Sequence, residues 1–251
     1  MLVATDTQYR RQYRTHITMS TTTTTTINIT PGGPERISQA ANLYQHAFRD
    51  DPVMSYMLCN LTTQQRHAYL REYFTRLNTA AALNAGVFEE ADDWVSALVF
   101  LPPGKRIDNP WTLIPAGFFQ VLWKLGFAGC NRMLREFEPA VTALQRKELG
   151  DSTHFYYLFI VATREDARGR GLSSALARRL QERAAEEDAP VWLEATTEAS
   201  ARLYAKLGFK SVGKVILGEG VAAPDGSRQQ GGSGVPVDCM IWRPGKEQLG
   251  G

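Results

Sequence analysis

The sequence predicts an α/β fold: a mixed sheet of six or seven strands flanked by helices, with a helical insertion before its second half. Three observations carry this. From His154 onward, buried-strand runs alternate with amphipathic helices. Upstream, two short strand runs meet across a turn at Ala91-Asp92-Asp93. Between these halves, the stretch from Pro110 to Leu149 has mostly helical period. A chain of 251 residues is large for one α/β domain and small for two, so residues 27–245 are taken as a single domain.

The elements follow in chain order. Residues 1–26 are Thr-rich, ending in the run Thr21 to Thr26, and lack apolar periodicity; a disordered tail is expected. Ile27 to Thr30 forms a short strand stopped by Pro31-Gly32-Gly33-Pro34. A helix follows from Glu35 to about Arg49, with Ile37, Ala40, Ala41, Leu43 and Tyr44 at helical spacing, and Asp50-Asp51-Pro52 breaks it. Val53 to Cys59 is a short helix, and Thr62 or Thr63 caps a longer one to about Leu83. Strands cover Gly86 to Glu90 and Trp94 to Leu101, ended by Pro102-Pro103-Gly104. The insert spans about 105–149 and should break at Gly126 to Gly129 and at Pro139.

The pattern then sharpens. Phe155 to Val161 is a buried strand, and the polar loop Thr163 to Arg170 leads into a helix from Gly171 to about Glu187. That helix carries Leu172, Leu176 and Leu180 on one side and charged residues on the other. Val191 to Ala195 is a strand; Glu198 to Leu207 is a helix capped by Thr197 and stopped by Gly208. Phe209 to Leu217 and Val235 to Trp242 are the last strands, separated by a Gly-rich loop, 218–234, expected to be mobile.

Composition narrows the class. Hydrophobic residues make up 43% and the formal net charge is +2, which the tail's Arg10, Arg11 and Arg14 against Asp6 already supply. The near-neutral body does not suggest a nucleic-acid partner. No run approaches the roughly 20 apolar residues of a membrane span, and the apolar run Trp111 to Cys130 is taken as helical and buried or semi-buried; no membrane partner is expected, with an interfacial role for this run as the minor alternative. Cys59, Cys130 and Cys239 are too widely spaced for a zinc knuckle or disulfide framework, which indicates buried thiols, no metal and a reducing compartment. The expected location is cytoplasmic; the arginines of the tail leave a mitochondrial transit peptide as the alternative.

The segment that carries chemistry is Arg168-Gly169-Arg170-Gly171-Leu172-Ser173-Ser174, between a hydrophobic strand and an amphipathic helix. A helix N-terminus exposes unpaired N–H groups and about half a positive charge, and it binds phosphate when no side chain blocks the approach. Gly169 and Gly171 keep the backbone bare, Ser173 and Ser174 offer hydroxyls, and Arg168 and Arg170 add charge. Position 174 is Ser where a Rossmann fingerprint needs Gly, and there is no Gly-Lys-Ser/Thr of a Walker A loop. An ordinary strand-to-helix loop remains the alternative.

The surroundings decide between them. The order strand, Arg-x-x-Gly-x-Ser loop, helix, strand, helix with Tyr, Gly-Phe, strand resembles the GNAT superfamily of N-acetyltransferases. Its acetyl-CoA signature, Gln/Arg-x-x-Gly-x-Gly/Ala, is matched by Arg168 to Ser173, with Ser173 a small departure. A second motif, Asn-x-x-Ala-x-x-x-Tyr-x-x-x-Gly-Phe, is matched by Thr197, Ser200, Tyr204, Gly208 and Phe209, with Thr197 for Asn and Ser200 for Ala as conservative replacements. The match covers about 153–217. Ala47-Phe48 before Asp50-Asp51-Pro52, then a helical insert, resembles the puromycin acetyltransferase-like branch.

The resemblance implies a mostly antiparallel sheet, acetyl-CoA as cosubstrate and a small amine as acceptor. Backbone groups of Phe159, Ile160 and Val161 would pair with the pantetheine arm, and Arg168 to Ser174 would hold the pyrophosphate. The thioester would lie where the strands 155–161 and 191–195 part. Beside that gap Glu194 is the candidate base, with Asp50, Asp51 and His154 as weaker ones, and Tyr204 is the candidate acid. No cysteine has a nucleophile's context, so direct transfer in a ternary complex is expected over a covalent route. O-acetyl transfer and a non-catalytic acetyl-CoA sensor are the rival functions. Tyr44, Tyr56, Tyr69, Tyr73, Phe118, Phe119 and Trp123 are candidates for lining an apolar acceptor cleft, or for core.

Overall fold

The computed structural model describes residues 27–107 and 109–245. The expected tail, with its possible transit peptide, and the side chain of Cys130 lie outside the described residues. The first half runs β1 (Ile29–Gly32), α1 (Ile37–Ala47), α2 (Pro52–Met57), α3 (Thr63–Leu83), β2 (Val87–Ala91) and β3 (Ser96–Leu101). The insert follows as α4 (Pro110–Leu113), α5 (Phe118–Asn131), a π-helical turn (Arg132–Phe137) and α6 (Glu138–Leu149). The second half runs β4 (Tyr156–Thr163), α7 (Leu172–Glu186), β5 (Val191–Ala195), α8 (Glu198–Lys206), β6 (Lys210–Leu217) and β7 (Val235–Trp242).

The strands form one seven-stranded sheet in the order β1-β2-β3-β4-β5-β7-β6. Every neighbouring pair is antiparallel except β4 with β5. Alternation along each strand sorts the core. Leu98, Phe100, Leu158, Val191 and Leu193 point to the face covered by α7 and α8, where Leu172, Leu176, Leu180 and Tyr204 meet them. Ala97, Val99 and Ile160 point to the opposite face, under α1, α3 and α5. Beyond β5 that opposite face carries a separate cluster, in which Trp192, Val237 and Ile241 pack against α2 and α6.

Local rules account for most boundaries. Thr62 and Thr197 each form a capping box at the starts of α3 and α8, satisfying backbone donors that would otherwise face solvent. Pro31 does not stop the first strand, because β1 lies at the sheet edge, where a missing N–H removes no ladder bond. Pro139 does not break the insert either: it sits in the first turn of α6, where a helix tolerates proline. The interruption inside α5 is at Gly126, with φ 65° and ψ −178°.

The segment 218–234, expected to be a mobile loop, is bonded to itself and to the body. Gly220 N–H donates to the Gly232 carbonyl and Gly231 N–H to the Gly220 carbonyl, Ala222 bridges Arg228, and Gly234 N–H donates to the Ala222 carbonyl. Gly226, at φ +81°, leaves no space for a Cβ, which would run into the Pro52 carbonyl and Ser55 of α2. Gly226→Ala combines that clash with left-handed strain and is expected to destabilise the fold by about 2 kcal/mol or more, read from urea unfolding midpoints. An unchanged midpoint would show that this segment does not press on α2.

Candidate active site

β4 and β5 pair only at Tyr156 with Val191 and Tyr157 with Trp192. Beyond that point β4 continues to Thr163 along β3 alone, while β5 continues to Ala195 along β7. The register on the β3 side shifts at Val99/Phe100, opposite Phe159, so β4 carries an extra residue there. Such a bulge bends its strand. The edge of β4 that faces the gap, at Phe159, Ile160 and Val161, therefore presents backbone groups that no strand pairs, as an extended ligand with amide groups requires.

The same strand feeds the glycine loop. Gly169 and Gly171 both have positive φ, 83° and 82°, a conformation that glycine takes without a Cβ penalty. Gly171 is the N-cap of α7, and a Cβ there would meet nothing within 4 Å, so the helix N-terminus is open to solvent. Leu172 anchors the turn in the core. The Ser173 hydroxyl shares a 2.6 Å hydrogen bond with that of Thr163, tying the helix start to the end of β4. Arg168 is exposed, as is Arg170, whose guanidinium donates to Asp92 at 2.9 Å. Bare N–H groups, a helix N-terminus and two arginines, one of them paired with Asp92, are features that suit an anion.

Glu194 and Tyr204 lie on opposite faces of the sheet. Glu194 shares the face of Trp192; its two carboxylate oxygens accept from Trp192 Nε1 at 2.5 Å and from the Tyr157 hydroxyl at 2.7 Å. Burial pushes its carboxyl above the usual carboxylate range, against those two bonds, which favour the anion. Tyr204 packs with Leu193 and Ala195 on the other face, its ring edge-on to Phe209 at 5.4 Å. Its hydroxyl has no hydrogen-bond partner among the described residues, and burial raises the phenol's pKa.

The other candidates separate. Asp51 is buried, caps α2 through Met54 N–H at 3.0 Å, and accepts from the Thr196 hydroxyl at 2.6 Å, just past the end of β5. Burial raises its carboxyl too. Asp50 instead lies on the surface, 3.4 Å from His67. His154 is exposed before β4 and bonds the Glu187 carbonyl, away from the gap. Cys239 is buried, and burial raises its thiol well above the usual range, which disfavours a thiolate nucleophile. Among the described residues no group of three or more His, Cys, Asp or Glu is placed to hold a metal.

Residues 89–209 match the model of the Acetyltransferase (GNAT) family. That stretch, just under half of the chain, is similar to the acetyltransferase domain of the GNAT superfamily. The chain is thus an acyltransferase. An uncharacterised N-acetyltransferase of Schizosaccharomyces pombe is 25% identical over 210 residues, covering 83% of this chain and 80% of that protein. The fold resembles a Corynebacterium glutamicum structure described as histone acetyltransferase HPA2 and related acetyltransferase (TM-score 0.58, 21% identity, 89% of this chain and 99% of that one). It also resembles the Drosophila melanogaster polyamine N-acetyltransferase, which forms N-acetylagmatine (TM-score 0.58, 15% identity, 87% of this chain and 100% of that one).

Two residues of this candidate site escaped the sequence. Tyr157, which holds Glu194, sits in a strand aromatic at alternate positions, so only the fold reveals which face it serves. Thr196 adjoins the cap Thr197 and gives no signal of its bond to Asp51, 145 residues away. Of the aromatic side chains considered for an acceptor cleft, Tyr44, Tyr69, Tyr73 and Phe118 are core under β3 and β4, and Tyr56 is core beside α6. Phe119 and Trp123 are exposed on α5.

Proposed function

We propose that this protein is an acetyl-CoA-dependent N-acetyltransferase that moves the acetyl group to a primary amine of a small molecule by direct transfer in a ternary complex. The observation that carries this reading is the parting of β4 from β5 after Tyr157 and Trp192, with the open loop Arg168 to Ser174 at one end of the gap. Phe159, Ile160 and Val161 pair with the pantetheine amides, and Arg168, Gly169, Arg170, Gly171, Leu172, Ser173 and Ser174 surround the pyrophosphate. The amines acetylated by structural relatives, polyamine and arylalkylamine among them, support an amine acceptor. Ala47-Phe48 with Asp50-Asp51-Pro52 supports a place near the puromycin acetyltransferase-like branch.

Acetyl-CoA supplies the thioester. A primary amine with a pKa near 10.4 is free base in only about one molecule in 2,500 at pH 7, a deficit near 4.6 kcal/mol. Glu194 takes the proton from the acceptor nitrogen, and its raised pKa brings it closer to that of the amine. As the C–N bond forms and the C–S bond breaks, Tyr204 donates its proton to the sulfur from the opposite face. Burial favours the neutral phenol, so Tyr204 enters each cycle carrying the proton that it donates.

The direct test is thiol release from acetyl-CoA across panels of amines, amino acids, polyamines and alcohols, with product mass. Amine-dependent release with an N-acetyl product is expected. Transfer to alcohols alone would make the protein an O-acetyltransferase, and binding without transfer to any acceptor would make it a sensor.

Glu194→Gln keeps the local geometry, because the amide oxygen accepts from Trp192 and the Tyr157 hydroxyl turns to accept from the amide nitrogen. Turnover should fall about 10²-fold with acetyl-CoA affinity intact. The wild-type rate should rise with pH as Glu194 ionises, and the deficit of the variant should shrink at high pH, where free amine is abundant. A pH–rate profile identical to wild type would move the base to Asp51 or to water.

A further inference from the structure

The insert leaves an apolar face that the acetyl-transfer reading does not use. α5 buries Phe118, Val121 and Leu125 against α3 and the sheet. Its opposite side presents Phe119 and Trp123 one turn apart, and Phe127 follows just past the interruption at Gly126; Trp123 and Phe127 are 82% and 87% exposed. Trp111, at the start of α4, is 88% exposed, and Ile114 follows. A helix apolar on both sides, with one side in the core, has a second apolar environment to meet.

The charges around this face identify that environment. From Asn109 to Arg135 the sequence contains not one Asp or Glu; Lys124 and Arg135 are exposed, while Arg132 turns inward over Tyr56 and donates to the Met57 carbonyl. Lys124 stands over the Tyr69 ring at 5.7 Å, beside Phe119 and Trp123. Lys105 and Arg106 border the end nearest α4, sharing a surface depression with Asn109 and Thr112. Glu72, which borders the same depression as Lys124, lies 3.6 Å from Arg76. A second copy on this face would set Lys124 and its neighbours against their own positive charge. Aromatic side chains that enter the acyl boundary, rimmed by lysine and arginine at headgroup level, instead complement an anionic bilayer.

We propose that the face formed by Trp111, Ile114, Phe119, Trp123 and Phe127, with Lys105, Arg106 and Lys124 at its rim, docks the protein on an anionic phospholipid surface, lying in the interface. This departs from the expectation of no membrane partner and takes up the interfacial role that the sequence left as the minor alternative. Among the described residues no helix is long and apolar enough to cross a membrane, so the contact is peripheral. The proposal is independent of the acetyl-transfer reading.

Vesicle flotation of the full-length protein tests it, with phosphatidylcholine vesicles that contain or lack phosphatidylserine. Binding is expected with phosphatidylserine and not without it, and should weaken as salt rises. The double variant Trp111→Ser/Trp123→Ser and the single variant Lys124→Glu should each lower vesicle affinity about tenfold or more. Both sets of side chains are at the surface, so melting temperature should hold; if the double variant melts early, Lys124→Glu decides alone. Failure to float with phosphatidylserine, equal flotation on neutral vesicles, or wild-type flotation of Lys124→Glu would overturn the proposal. A lipid-free dimer that the double variant converts to monomer would overturn it too, giving the face to a second copy.

Discussion

Tyr204→Phe is expected to lower kcat at least tenfold, within the range of about 10²–10⁴ that general acid catalysis supplies, and to leave melting temperature and acetyl-CoA affinity nearly unchanged. The separation follows from how the residue is held. The ring is packed among Leu193, Ala195, Leu207 and Phe209, and phenylalanine keeps all of that contact. The hydroxyl bonds to no described protein group, so its removal leaves no orphaned partner. The loss should then fall on the chemical step. A thioester with a more acidic leaving thiol needs less protonation and should partly restore the variant. Wild-type kcat in Tyr204→Phe, measured where chemistry limits the rate, would make the tyrosine a core residue and leave solvent to protonate the thiolate.

Gly171→Glu is expected to abolish stabilisation by acetyl-CoA. At a ligand concentration of 100 times Kd, wild type should gain about 2.7 kcal/mol, and the variant nothing. The carboxylate would sit at the N-cap of α7, where the pyrophosphate is proposed to bind, and two anions cannot share that site. Because Gly171 has φ +82°, any side chain adds left-handed strain of roughly 1–2 kcal/mol. Gly171→Ala carries that strain without the charge, and its Cβ meets open space. It should melt earlier yet keep a CoA-induced shift. A full shift in Gly171→Glu would remove the loop from the binding site.

Much of this site was legible because its signals are local. The glycine loop, the Leu172, Leu176 and Leu180 stripe, and the Thr197 cap are all set by residues within one or two turns, and each sits within a residue or two of where periodicity puts it. The gap itself was not legible from periodicity. It depends on β4 abandoning β5 after two paired positions and on the irregularity at Phe159, which are properties of strand pairing rather than of either strand. The Asp51–Thr196 bond and the seating of Gly226 on α2 join segments far apart in the chain. For the same reason helical spacing identified apolar positions on α5 without revealing that both sides of the helix are apolar and that only one is covered.

The central claim, that acetyl-CoA lies in the gap between β4 and β5 with its pyrophosphate on the N-terminus of α7, is tested most directly by amide hydrogen exchange with and without the cosubstrate. Slowed exchange should be confined to two stretches, the β4 edge around Phe159, Ile160 and Val161 and the loop from Arg168 to Ser174. Unchanged exchange in both stretches at saturating acetyl-CoA, or protection appearing elsewhere in the chain, would contradict it.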